Sequence, residues 1–154
     1  MRAAVLTISS SVSAGDAEDV SGPELVRLCE AAGLEVQHET LPDDRAAIAE
    51  ALARLADRQS VRFVFTTGGT GMTPDDVTPE ATIDVIDRPA PGYAETIRAE
   101  SRAHTPLGIL TRGVSGIRGR TLIVNLPGSP KAIAQSWPVI EPTLKHAAQT
   151  LERG

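Results

Sequence analysis

The sequence predicts a three-layer α/β fold, with a mostly parallel central sheet and helices on both faces. Three observations predict it. The strand-like runs are too continuously apolar to have one wet face, and they alternate with helical segments long enough to serve as crossovers. Aromatics make up only 3% of the 154 residues while 41% are hydrophobic, so Ala, Val, Leu and Ile must fill the core. Aliphatic cores of that kind suit a sheet covered by helices.

Arg2 to Ser9, with Ala3, Ala4, Val5, Leu6 and Ile8, reads as a first strand buried on both sides. A small polar loop, Ser9 to Asp19, leads to Ser21, which is expected to cap a helix carrying Pro23 and Glu24 in its first turn and ending at Gly33. Leu34 to Leu41 is the second strand. Pro42-Asp43-Asp44 starts the next helix, whose Ala47, Ile48, Ala51, Leu52 and Leu55 recur at helical spacing. Val61 to Thr67 is the third strand, and the β-α-β-α-β order calls for right-handed crossovers.

Thr78-Pro79-Glu80 opens a short helix broken by Pro89 and Pro91, and another is expected from Gly92 to about Ala103. Gly108 to Arg112 and Arg120 to Leu126 are strand candidates, joined by a turn-rich link with Gly113, Gly116 and Gly119 that has room for a hairpin. Ile133 to Leu151 is helical with a kink or break at Pro138 and Pro142. No repeat or interdomain linker interrupts the pattern, which predicts one domain over residues 1–154.

The net charge of −5 gives no support for nucleic-acid binding. Neither a signal peptide nor an apolar span of about 20 residues is visible, which predicts a cytoplasmic protein without a membrane segment. Cys29, the only cysteine, falls in a helical apolar pattern and is expected in the core.

Ligands in an open parallel sheet gather beyond the carboxyl ends of the strands. Four loops follow predicted strands there: Ser9 to Ser21, Pro42 to Asp44, Gly68 to Asp76 and Pro127 to Lys131. The third, Gly68-Gly69-Thr70-Gly71, is almost all backbone donor and hydroxyl, and suits phosphate. It has neither the lysine of a Walker motif nor the dinucleotide spacing, and a plain tight turn would use similar residues. Pro127-Gly128-Ser129-Pro130-Lys131 is a second anion loop or an ordinary helix cap. One carboxylate each from Asp43-Asp44 and Asp75-Asp76 could hold Mg2+ while phosphates complete its coordination, or the aspartates could cap helices, Asp43 in particular. Asp16, Glu18 and Asp19 read as loop solvation, His38 as facing water, and Arg112, Arg118 and Arg120 as anion attractors or salt-bridge partners. No histidine or serine shows a catalytic relay or metal-ligand spacing.

Taken together, Ser21-Gly22-Pro23, Pro42-Asp43-Asp44, Thr67-Gly68-Gly69-Thr70-Gly71, Thr73 to Thr82, Pro91-Gly92 and Asn125 to Lys131 resemble the molybdopterin-binding family of molybdenum cofactor biosynthesis along essentially the whole chain. The resemblance is strongest to its bacterial adenylyltransferases and to the G domain of plant and animal cofactor-synthesis proteins. It implies a homotrimer that uses ATP and Mg2+ to adenylylate the terminal phosphate of molybdopterin, releasing pyrophosphate and supplying a downstream molybdenum-insertion enzyme. It implies Asp43 and Asp76 as catalytic, metal-positioning residues. It also implies substrate and nucleotide binding by Ser21, Gly22, Gly68, Gly69, Thr70, Gly71, Pro127, Gly128 and Ser129. A non-catalytic molybdopterin carrier or scaffold of the same pathway, and a nucleotide-binding module unrelated to molybdenum, are the competing readings.

Overall fold

A computed structural model describes residues 1–153. Its strands and helices run β1 (Arg2–Ile8), α1 (Ser10–Ser13), α2 (Ser21–Ala31), β2 (Glu35–Leu41), α3 (Arg45–Asp57), β3 (Phe63–Thr67), α4 (Thr78–Val85), β4 (Arg88–Pro89), α5 (Pro91–His104), β5 (Ser115–Arg118), β6 (Thr121–Leu126), α6 (Pro130–Ile140) and α7 (Leu144–Glu152). The six strands form one sheet in the order β2-β1-β3-β6-β5-β4. The first four of these are mutually parallel, and the β5 and β6 pair and the β4 and β5 pair are antiparallel. The strand order reverses between β1 and β3, the crevice where open α/β sheets bind ligands.

Alternate residues of β1 explain the unbroken apolar run. Ala3 and Val5 pack with Leu25, Ile97, Ile133, Trp137 and Leu144, so α2, α5, α6 and α7 cover one face. Ala4, Leu6 and Ile8 pack with Ile48, Leu52, Leu55 and Ala81, so α3 and α4 cover the other. A strand wet on neither side needs no polar alternation. Phe65 meets Trp137 edge-on at 5.5 Å, a geometry worth about 0.5–1.5 kcal/mol beyond the area it buries. Cys29 is fully buried, as expected, and burial pushes its thiol up to about 12.

Two expectations for the helices need correction. Ser21 does not cap α2: it occupies the first turn, and the carboxylate that accepts from Gly22 N, at 2.9 Å, is that of Asp19. Asp44, not Asp43, caps α3 by accepting from Ala47 N at 3.0 Å. That division of labour leaves Asp43 available to face the neighbouring loops. The break in the C-terminal helical stretch falls at Glu141–Thr143, around Pro142, while Pro138 lies inside α6.

The expected strand Gly108 to Arg112 is absent. Pro106–Leu110 is a turn of 3-10 helix, with Leu107 N bonded to Thr105 Oγ1. Gly108 packs so tightly on α5 that a Cβ would lie 2.6 Å from Arg102 N, which holds the segment against that helix and away from the sheet. Its apolar character is left outward, on the exposed Leu107, Ile109 and Leu110. The sheet partner is β5, which lies inside the segment read as a link and turns into β6 through Gly119-Arg120, with Gly119 at φ +56. Among the described residues no helix is long and apolar enough to cross a membrane.

One buried polar residue ties the sheet to α4. Asn125, 2% exposed, donates from Nδ2 to Thr66 Oγ1 at 3.1 Å and Thr82 Oγ1 at 3.0 Å. Its Oδ1 accepts from Val114 N at 3.1 Å. Asn125→Ala strands these partners in the core, at a cost of about 2–3 kcal/mol. We expect a urea midpoint about 1–2 M lower with an unchanged slope. A midpoint equal to the native one would show that the network contributes nothing.

Candidate active site

Parallel register brings the four loops to one edge. Ile8 pairs with Leu41, Thr7 with Thr67, and Thr67 with Leu126, so β1, β2, β3 and β6 end side by side. The glycine loop begins with two left-handed residues, Gly68 at φ +98 and Gly69 at φ +68. Among the described residues, the N–H groups of Gly69, Thr70, Gly71 and Met72 donate to no protein acceptor. Consecutive free amides in such a turn form a concavity suited to anions. Gly68 N donates to Leu126 O at 3.3 Å and Thr67 Oγ1 to Pro127 O at 2.8 Å, which fastens this loop to the next. A Cβ on Gly128 would sit 3.2 Å from Gly68 Cα, so the two loops approach backbone to backbone.

A cleft of about 350 Å³ opens at this edge, lined by Thr7, Ser9, Asp19, Ser21, Gly68 and Gly128 among others. That volume falls in the range of small-molecule sites. Pro127 and Ser129 line an adjoining hollow of about 280 Å³ with His104 and Lys131, and Ser129 also caps α6 at Ala132 N. A roomier hollow of about 390 Å³ between α5 and α6 carries no charged side chain.

Asp43 and Asp76 lie beside the glycine loop, not in the lining of the cleft. Asp43 Oδ2 accepts from Ser10 N and Ser10 Oγ, both at 3.1 Å, while Oδ1 lies 3.3 Å from where a Cβ on Gly69 would be. Asp76 Oδ2 accepts from Thr73 N at 3.0 Å and Thr73 Oγ1 at 2.8 Å, and would lie 2.7 Å from a Cβ on Gly71. Each carboxylate keeps Oδ1 free of hydrogen bonds from the described residues. Asp75 is exposed. No cluster of three or more His, Cys, Asp or Glu side chains suited to a metal occurs among the described residues. Asp43 near Gly69 and Asp76 near Gly71 are hard oxygen donors, the ligand type of Mg2+, which keeps waters and phosphates in its coordination and needs no full protein cage.

Several neighbours take roles the sequence misassigned or left open. Asp19 is not loop solvation and His38 does not simply face water. Thr7 Oγ1 donates to Asp19 Oδ2 at 2.7 Å and, with its one proton so used, accepts from His38 Nε2 at 2.8 Å; His38 Nε2 also lies 3.3 Å from Asp19 Oδ2. The Asp19 side chain is only 14% exposed and that of His38 29%. Gly22 has no room for a side chain, because a Cβ would collide with Thr7, Asp19 and His38 together. Arg118 is occupied by Asp57, whose carboxyl its hydrogen bond holds below the usual range. Arg112 is turned onto the glycine loop. Only the Ser21-Gly22-Pro23 spelling hinted at the first group; Ser10 lay within a loop already placed at the ligand edge, and Arg112 was open between attracting an anion and pairing with a carboxylate.

Comparison with known proteins places this geometry. Residues 4–146 match the family model described as "Probable molybdopterin binding domain". The molybdopterin adenylyltransferase of Haemophilus influenzae is 42% identical over 139 residues, covering 88% of this chain and 71% of that protein. The molybdenum cofactor synthesis protein cinnamon of Drosophila melanogaster is 40% identical over 149 residues, 96% of this chain, which spans only 25% of that longer protein. The crystal structure of the molybdopterin biosynthesis enzyme MoaB of Thermus thermophilus superposes with a TM-score of 0.91 at 40% identity, covering 97% of this chain and 95% of that one.

Proposed function

Since this chain belongs to the family of molybdopterin-binding domains, we propose that it is a molybdopterin adenylyltransferase, acting through one domain over residues 1–154. The observation that carries the reading is the glycine loop of free amides flanked by Asp43 and Asp76 at the sheet's switch point. An oxygen of the terminal phosphate of molybdopterin attacks the α-phosphorus of ATP. The bond from that phosphorus to the β-bridging oxygen breaks, and pyrophosphate leaves with the electron pair. The nucleophile is already anionic and needs no general base, and the loop set offers it carboxylates and amides.

The amides of Gly69, Thr70 and Gly71 would cradle phosphate oxygens. The clefts beside Ser21, Gly22, Gly68, Pro127, Gly128 and Ser129 would orient the two substrates. Asp43 and Asp76 would hold Mg2+ through their free oxygens, and the ion would neutralise phosphate charge. The same reading carries a cytoplasmic homotrimer that passes its product to a molybdenum-insertion enzyme.

Mass spectrometry of purified protein with molybdopterin, ATP and Mg2+ tests the proposal. We expect adenylyl-molybdopterin in equal amount to pyrophosphate, and none after chelation of the metal. Molybdopterin bound without an adduct would leave the carrier reading in its place.

A further inference from the structure

The glycine loop is held largely from outside itself. Its internal backbone closures are few, Asp76 N to Thr73 O at 3.0 Å and Thr78 N to Gly69 O at 3.1 Å. Gly68 O accepts from Thr78 Oγ1 at 3.0 Å, and the carbonyls of Thr70, Gly71 and Asp76 are taken by Arg112, 41 residues beyond Gly71. Arg112 N donates to Thr70 O at 2.8 Å. The guanidinium of Arg112 then reaches three ways. Nε donates to Gly71 O at 2.8 Å, Nη2 to Asp76 O at 2.8 Å, and Nη1 to both carboxylate oxygens of Glu80 at 2.9 and 3.1 Å. Arg112 is itself framed from α5, since Arg98 Nη1 donates to Gly113 O at 2.8 Å and Thr111 O at 3.3 Å.

Spent on two carbonyls and the Glu80 carboxylate, the guanidinium takes the salt-bridging one of the two roles its sequence suggested, not that of an anion attractor. It spans the loop, with one contact just after the free amides of Gly69 and Thr70 and another on the carbonyl of Asp76 itself. We propose that Arg112, framed by Arg98, is a positioning residue for adenylyl transfer, setting the backbone from Gly71 to Asp76 so that amides and carboxylate face the substrates together. The catalytic consequence rests on the function proposed above; the ordering of the loop does not. Lysine cannot replace it. An ammonium offers its donors at one point, whereas the fork of arginine reaches acceptors in separate directions.

The test compares the native protein with Arg112→Lys, and with Arg27→Lys as a control at an exposed pair on α2. Amide exchange is read by NMR at Thr73, Asp76 and Thr78, whose hydrogen bonds close the loop. In Arg112→Lys we expect exchange at these three amides to rise ~10-fold or more while the amides of β1, β3 and β6 keep their protection. Adenylyl transfer should fall ~10²-fold, the scale of a displacement of about 1 Å at a reacting centre. Arg27→Lys should change neither. Unchanged loop exchange in Arg112→Lys would overturn the proposal, as would faster loop exchange with native transfer rates. A native protein that transfers nothing would sink the adenylyltransferase reading, and the exchange comparison would still decide whether Arg112 orders the loop.

Discussion

Asp76→Asn is expected to lower adenylyl transfer by about 10²–10³-fold in kcat, the scale seen when one electrostatic stabiliser of a developing charge is removed. The substitution changes little else. The amide oxygen of Asn can still accept from Thr73 N and Thr73 Oγ1, so the turn that presents the side chain survives. Arg112 bonds the main-chain oxygen of Asp76, not its carboxylate, so no ion pair is broken. What disappears is the negative charge and one hard oxygen donor beside the glycine loop. Rates measured across a Mg2+ series should show the loss persisting at saturation. Asp75→Asn, one residue away and exposed, is the matched control and should behave as native. An Asp76→Asn enzyme within about threefold of native would remove Asp76 from the mechanism.

Gly68→Ala should carry the largest stability loss of any single methyl added to the loop. Its φ of +98 is a conformation that costs an L-residue about 1–3 kcal/mol. The added Cβ would also lie 2.3 Å from Ile8 O, a backbone atom at the end of β1 that no rotamer change can clear. The sum is about 3 kcal/mol or more, equivalent to a melting point roughly 6–12 °C lower for a chain of this size. Gly33→Ala separates the two contributions. It has a φ of +85 but open space around the Cβ, so it should show the backbone strain alone. Equal melting points for the two variants would mean that the contact with Ile8 is relieved at no cost.

Much of this was legible in the chain itself. The unbroken apolar runs at β1 and β3, the helical spacing of Ile48, Ala51, Leu52 and Leu55, and the prolines at helix starts all act over a few residues, and the elements formed there. Gly68 to Asp76 and Pro127 to Lys131 stood out because phosphate-cradling chemistry is itself local, made of consecutive amides and small side chains. The Gly108 to Arg112 strand failed for the opposite reason. An apolar run does not reveal whether a sheet neighbour is within reach, and a close contact with α5 claimed this one first.

Side-chain roles divided along the same line. Residue types and spacing determined the sheet, its aliphatic core, the four loops at its carboxyl edge and the two aspartate pairs worth testing. Asp76 is held by Thr73, only three residues away, but the rest of the site was decided by contacts between distant segments: Ser10 with Asp43 across 33 residues, Thr7 with His38 across 31, Arg112 with Gly71 across 41. The first two exist because parallel pairing sets β1 beside β2, and the third because the antiparallel β5 brings the segment before it back to the β3 and β6 edge. A hydrogen bond acts over about 3 Å, and only the folded register brings atoms that far apart in the chain within that distance.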